Sequence, residues 1–364
     1  MSTESVTPVE RRPSGLWVFI FISLLLHVPL FIYPVLRLCH WLDLGLVSTL
    51  LILLPVAFSQ VVSRWLLRNV KHPVTRGIRH IADFVLGMSP LLLMTLLAVE
   101  LPVLAGLLVE RTAAQLVLGI ALLLSIAGLG FALFPVVRPI AFAAESLQAP
   151  LRFVQITDVH IGSRSRRFLE RVIARVKRLK PDFLCITGDF IDATGVEVEE
   201  LAALRSLECP IYFCIGNHER YEDLPEILER LAQLGVILLR NRSIFYRDDV
   251  QIIGIDDRDD ALQVERQLSR IELSPDAFKL LLYHRPKGLE AAAAKGIDLM
   301  ISGHTHNGQI FPFNMVVGRV FDKIVGLYQL ERSRLYVSQG TGTWGPVMRV
   351  GTRAEITLFE IGLE

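Results

Sequence analysis

Between residues 16 and 137 the chain passes through four apolar runs, and no other feature restricts its fold as tightly. Residues 16–36 and 44–62 are almost free of charge. A third run starts near Ile81 and ends at Val99 or continues to Val109; a fourth covers residues 113–137. About 20 apolar residues carry a helix across a bilayer. Lipid offers backbone N–H and C=O groups no partner, so such runs form helices. The expectation is a four-helix transmembrane region over residues 16–144, behind a polar cytoplasmic tail, 1–15, that has no signal-peptide cleavage site. The chain is 52% hydrophobic with a mean hydropathy of +0.45, and the excess sits before Pro150.

The basic residues orient these spans. Arg64, Arg68, Lys71, Arg76 and Arg79 fall between the second and third runs with no acid among them. Arg11 and Arg12 precede the first run and Arg138 follows the fourth, while the outer loops hold Arg37, Asp43, Glu100, Glu110 and Arg111. The excess of positive charge places both termini in the cytoplasm, making a multi-pass protein of the cytoplasmic membrane whose soluble part faces the cytoplasm. Glu100 is read as interfacial, just beyond a third span that ends at Val99. A formal net charge of +1, without basic tracts interleaved with aromatics, gives no expectation of nucleic acid. The four cysteines, Cys39, Cys185, Cys209 and Cys214, include no CxxC pair, so neither a zinc ribbon nor a thioredoxin-like site is indicated.

Composition changes at 145–150, read as a linker. Beyond it, in residues 151–364, short apolar runs alternate with amphipathic helical stretches. Strands are expected at 152–157, 183–187, 211–215, 237–239, 251–255, 279–283, 299–301, 335–338 and 355–359. Helices are expected at 166–179, 198–207, 224–234, 261–271 and 288–295. This is the pattern of an α/β domain with helices on the sheet faces.

Polar residues follow the strands. Asp158 and His160 come after the first, Gly188 and Asp189 after the second, Gly216, Asn217 and His218 after the third. His284 follows a fourth, and Gly303, His304 and His306 a fifth. Singly, each fragment reads more readily as a cap, a turn or an interior histidine than as part of a site. Five strand ends in a row, each delivering Asp, Asn or His, point to one site beyond the carboxyl edge of a sheet.

The ordered set Asp158-Val-His160, Gly188-Asp189, Gly216-Asn217-His218-Glu219, His284 and Gly303-His304-Thr-His306 resembles the calcineurin-like metallophosphoesterases. The tail from Gly340 through Trp344 to Arg349, with Glu355-Ile-Thr-Leu after it, looks like their membrane-associated bacterial branch. Two departures stand out. Asn307 follows the second histidine where glycine is frequent, and Glu219 stands where aspartate is more usual.

The resemblance implies a four-layer αββα sandwich with two divalent metals at the strand ends. Asp158, His160, Asp189 and His306 would hold one metal; Asp189, Asn217, His284 and His304 would hold the other, with Asp189 bridging. Nitrogen and oxygen donors without thiolate suit manganese, iron or zinc, with manganese first. The implied reaction is attack of metal-bound hydroxide on a phosphoester or pyrophosphate. His218 would protonate the leaving group or orient a neighbour. Arg258, Arg285, Trp344 and Arg349 are candidate substrate contacts.

The expected substrate is a phosphorylated small molecule. Spans that hold the head against membrane lipid favour a lipid-linked one, of the UDP-diacylglucosamine pyrophosphate type that some members of the family cleave. Competing readings are a tethered hydrolase of soluble nucleotides or phosphodiesters, a non-catalytic scaffold, and a transporter or sensor with Glu100 as its key acid.

Overall fold

A computed structural model describes residues 25–67 and 72–362. The expected tail, the start of the first span, Arg68 and Lys71 lie outside the described residues. The chain divides into two compact units, Met1–Leu124 and Ser125–Glu364.

In the first unit two long apolar helices, Leu46–Leu66 and Val74–Leu104, meet the length and hydropathy needed to cross a bilayer; Glu110–Leu133, which runs on into the second unit, is the third. The described part of the first expected span is a shorter apolar helix, Leu25–Trp41. Among the described residues, three helices rather than the expected four are long and apolar enough to span. Leu46, Val47 and Leu51 are each more than 70% exposed, which suits a surface whose solvent is hydrocarbon rather than water.

The helix of the third run does not stop at Val99. It continues through Glu100 to Leu104. Glu100 accepts two hydrogen bonds from Arg37, at 2.6 and 2.9 Å, and the Arg37 guanidinium also lies over Trp41. The acid is thus tolerated as a neutralised, hydrogen-bonded pair.

The second unit is a mixed α/β sandwich. Its strands are β1 Val136–Ala143, β2 Leu151–Ile156, β3 Phe183–Thr187, β4 Ile211–Cys214, β5 Ile237–Leu238, β6 Arg242–Arg247, β7 Val250–Gly254, β8 Phe278–Leu282, β9 Leu299–Ser302, β10 Gly326–Leu330, β11 Ser333–Val337 and β12 Glu355–Gly362. One sheet has the order β1-β12-β2-β3-β4-β5, the other β10-β11-β9-β8-β7-β6. The neighbours β2, β3 and β4 are parallel, as are β7, β8 and β9.

Three apolar clusters make the layers. Phe153, Phe183 and Tyr212 of one sheet meet Ile252, Leu280 and Ile301 of the other between the sheets. Val154 and Ile186 face away, onto the helix Arg166–Leu179, whose Phe168, Leu169, Val172, Ile173 and Val176 form one buried stripe. Ile253, Leu281 and Met300 pack on Val264, Leu268 and Leu289 on the far side. Strands buried on both faces explain why β3 and β4 read as unbroken apolar runs rather than alternating ones.

Three strands escape the sequence reading. Val136–Ala143 is expected to lie in the membrane region, whose last apolar run ends at Val137. It is instead the edge strand of the first sheet, pairing with β12 over eight residues, and Pro139 is tolerated there because an edge strand has one unpaired side. The sheet thus begins upstream of the expected linker at 145–150. β6 and β10 are half-exposed and polar enough to pass for loop.

Candidate metal centre

Parallel strands all end at the same edge, so residues far apart in sequence become neighbours in space. Asp158 and His160 follow β2, Asp189 follows β3, Asn217 and His218 follow β4, His284 follows β8, and His304 and His306 follow β9. The loops are tied to one another. The Asp158 amide donates to the Gly188 carbonyl, His160 N to the Asp189 carbonyl, and Gly303 N to the His284 carbonyl.

Five of these side chains leave backbone in the left-handed region. The φ angles are +53° at Asp158, +58° at His160, +48° at Asp189, +71° at His304 and +49° at His306. Each costs an L-residue about 1–2 kcal/mol. Strain of that kind gathered in one place is a mark of function.

The donors form two groups. In the first, His306 Nε2 lies 3.3 Å from Asp158 Oδ1 and 3.2 Å from His160 Nε2. In the second, His284 Nε2 lies 3.1 Å from Asp189 Oδ2 and 3.1 Å from His304 Nδ1. Both sets lie close enough to share one cation. Two imidazole nitrogens that near must share a proton or aim their lone pairs at a common positive centre. Asn217, predicted as a ligand of the second group, is 8% exposed and its Oδ1 is buried without a hydrogen-bond partner. An orphaned buried carbonyl beside a carboxylate pocket is what a metal ligand looks like before its ion is counted. By distance Asp189 stands with His284 and His304.

The electrostatics agree with this donor set. Burial works against the Asp158 and Asp189 carboxylates, yet the imidazoles of His306 and His284 respectively hold them well below the usual range. Burial lowers His304 to about 3 and His306 to about 4, which leaves both neutral and able to donate a lone pair. Burial opposes the charge on His284 too, but Asp189 raises it to about 10. A cation in the second group would take the place of that proton.

Glycine is required where the loops touch. A Cβ on Gly303 would fall 2.2 Å from Asp158 Oδ2, and one on Gly216 2.2 Å from Asp189 Oδ1. Gly303→Ala is therefore expected to displace Asp158 and weaken metal affinity on the order of 10- to 100-fold while the domain still folds. Calorimetric titration with manganese, alongside circular dichroism, checks both halves.

Two acids outside the predicted set organise it. Glu219 is fully buried. Its Oε2 accepts from Asp189 N (3.0 Å) and Gly216 N (2.8 Å), and its Oε1 from Phe190 N (2.6 Å) and Ile191 N (3.1 Å). It clamps two ligand loops together. Burial and then Asp189 push its carboxyl up to about 7, against the pull of the amide donors. Asp192 lies 3.3 Å from His160 Nδ1 and accepts from Ser163 N and Oγ, so it can orient that ring. Its sequence signal was an acid three residues after Asp189.

His218 donates its amide to Asp189 Oδ1 at 2.9 Å. Its ring stands edge-on to His160, with centroids 4.7 Å apart. Of the four candidate substrate contacts, Trp344 borders the site: it is 55% exposed, and its ring faces His218 edge-on at 6.3 Å. Arg258 is exposed on the surface. Arg285 is bound by Asp257 and Asp259. Arg349 is fully buried and spends its guanidinium on the carbonyls of His306, Gln339 and Gly342. That burial makes it a brace behind His306 and removes it from direct contact with a substrate.

Comparison with known proteins agrees with this geometry. The family profile described as calcineurin-like phosphoesterase matches residues 151–308. An uncharacterized metallophosphoesterase of Campylobacter jejuni is 31% identical over 240 residues, covering 62% of this chain and 63% of that protein. A transmembrane protein with metallophosphoesterase domain from Bos taurus is 34% identical over 233 residues, 57% of this chain and 52% of its own length. This chain therefore spans between about half and two thirds of those two relatives. An uncharacterized metallophosphoesterase of Aquifex aeolicus is 30% identical over 227 residues, which cover 58% of this chain and 85% of that protein. Sequence similarity of this extent places the chain in the calcineurin-like phosphoesterase family.

Proposed function

We propose that the chain is a membrane-tethered phosphohydrolase that uses two divalent metals, manganese first, with its head in the cytoplasm. One observation carries the reading: Asp158, His160 and His306 form one group and Asp189, His284 and His304 another, drawn from four strand ends, with five of the six on left-handed backbone. Asp158, His160 and His306 would hold one cation, and Asn217, His284 and His304 the other, with Asp189 shared. Bound there, two divalent cations supply activated water and neutralise charge gathering on the phosphoryl oxygens.

The chain's own groups do the rest. His218 Nε2 would hold the proton that passes to the leaving oxygen, and Trp344 would cover the substrate's apolar or planar part. Burial draws the His218 imidazole below its ordinary value. That favours a second role, in which a neutral ring orients the substrate phosphate. Leaving-group dependence separates the two. As an acid, His218→Ala should lose about 10²–10⁴-fold on an alkyl phosphate and far less on 4-nitrophenyl phosphate. Equal losses on both would assign the orienting role.

The membrane region argues for a substrate that is lipid-linked, with a pyrophosphate of the UDP-diacylglucosamine type as one example. Purification in detergent, metal analysis and a screen of lipid-linked against soluble phosphoesters test the reading. Turnover confined to soluble nucleotides would remove the lipid-linked part. Absence of bound metal would remove the reaction.

A further inference from the structure

We propose that the helix Phe313–Val320, with Phe311 before it, lies in the interfacial layer of the bilayer that this chain spans and brings the mouth of the metal centre to the level of the lipid headgroups. The inference rests on the membrane-tethered reading given above. The helix buries none of its residues. Phe311, Phe313, Met315, Val316 and Val320 are 39–66% exposed, and Arg319 is the only charged residue from 311 to 320. A helix against a water-bathed domain turns its apolar stripe inward; this one presents apolar side chains to its surroundings. An exposed apolar patch of this kind marks a docking or membrane surface, and an apolar face with a cation at one end suits a helix lying in the interface.

The surrounding contacts name lipid as the occupant. Phe311 N donates to Val350 O at 2.8 Å. The loop that holds Val350 packs on the last turns of the membrane-length helix Glu110–Leu133: Arg349 N donates to Gly128 O at 2.9 Å, and a Cβ on Gly128 would meet Met348 and Val350 within 3 Å. Ile126, Phe131 and Phe134 near the end of that helix are themselves 40–58% exposed. The apolar segment is thus fastened to a loop that also grips a candidate span, within one compact unit.

Its other attachments lead to the site. The Thr305 hydroxyl, between His304 and His306, donates to Ile324 O at 2.6 Å. Phe321 stands edge-on to His304, with centroids 5.2 Å apart. Gln309 Nε2 donates to the carbonyls of Trp344 and Pro346, joining this segment to the loop that borders His218. A substrate held at the bilayer surface would reach the ligand histidines between Trp344 and Phe321.

The test uses the full chain in nanodiscs of phosphatidylcholine and phosphatidylglycerol. Cys209→Ser removes the one cysteine that is not buried, and Val316→Cys then carries an environment-sensitive fluorophore. Glu208→Cys, at a side chain 93% exposed, is the control. The expected result is blue-shifted emission from position 316, quenched several-fold more by doxyl groups on the acyl chains than emission from position 208. Equal quenching at the two positions overturns the proposal. So does blue-shifted emission that lipid fails to quench, because protein then covers the helix. Metal analysis of the same preparation separates the claims: quenching in a protein that binds no divalent metal sinks the proposed reaction and leaves the lipid contact supported.

Discussion

Asp189→Ala is expected to release both metals and to lower phosphoester hydrolysis by on the order of 10³-fold or more. The carboxylate is 2% exposed; one oxygen faces His284 Nε2 at 3.1 Å and the other accepts the His218 amide at 2.9 Å. Removing it takes away the anion between the histidines, and with it the charge that offsets a second cation beside the first. It also orphans a backbone donor at the start of the short helix Asn217–Tyr221. Asp189→Asn keeps the shape and the hydrogen bond while discarding the charge, so it should fold like the parent and still bind little metal. Elemental analysis after gel filtration reads the stoichiometry directly. Two cations per chain retained by either variant would defeat the shared-ligand role. Loss of only one would make Asp189 a ligand of the second group alone, as the distances taken singly suggest.

The legible parts of this fold are those where one physical demand controls local sequence. β3 and β4 are covered on both faces, so Phe183–Thr187 and Ile211–Cys214 had to be apolar throughout. The helix Arg166–Leu179 had to carry one stripe against the sheet, and its ends agree with the expectation. The candidate ligands were legible because each follows a largely buried strand.

What stayed hidden depends on tertiary context. β1 is apolar because Val137, Ile140 and Phe142 pack on the sheet layers, the span before it because lipid surrounds it, and composition cannot say where lipid ends and sheet begins. Arg349 sits in a glycine-rich stretch and read as a candidate substrate contact, because no local signal reveals that carbonyls from Gln339 and Gly342 converge on it. Left-handed backbone at the ligands is imposed by the meeting of loops, and no residue there is glycine to announce it. It does explain one departure from the family pattern. Asn307 adopts φ +50°, ψ +35°, and asparagine tolerates that region better than other side chains. It can therefore stand where the resemblance leads one to expect glycine.

The other departure leads to the second large effect. Glu219→Ala is expected to destabilise the head by about 4 kcal/mol and to lower its melting temperature by roughly 10 °C. The carboxylate satisfies four buried backbone donors, two on each oxygen, at 2.6–3.1 Å. Alanine leaves all four without a side-chain acceptor, and an orphaned buried donor costs more than its hydrogen bond contributed. Glu219→Gln keeps one accepting oxygen and turns an amide NH₂ toward the other two donors, so it should recover about half of that loss. Glu219→Asp is one methylene shorter and cannot span Gly216 and the Asp189–Ile191 loop unless one of them moves. Its stability should fall less than that of the alanine variant, but its affinity for the cation near Asp189 and Asn217 should drop by about 10- to 100-fold. Thermal melts followed by metal titration of all three variants separate the clamp from the ligands. If Glu219→Ala melts within 2 °C of the parent, far short of the shift a loss of this size requires, the loops are held by something other than this carboxylate.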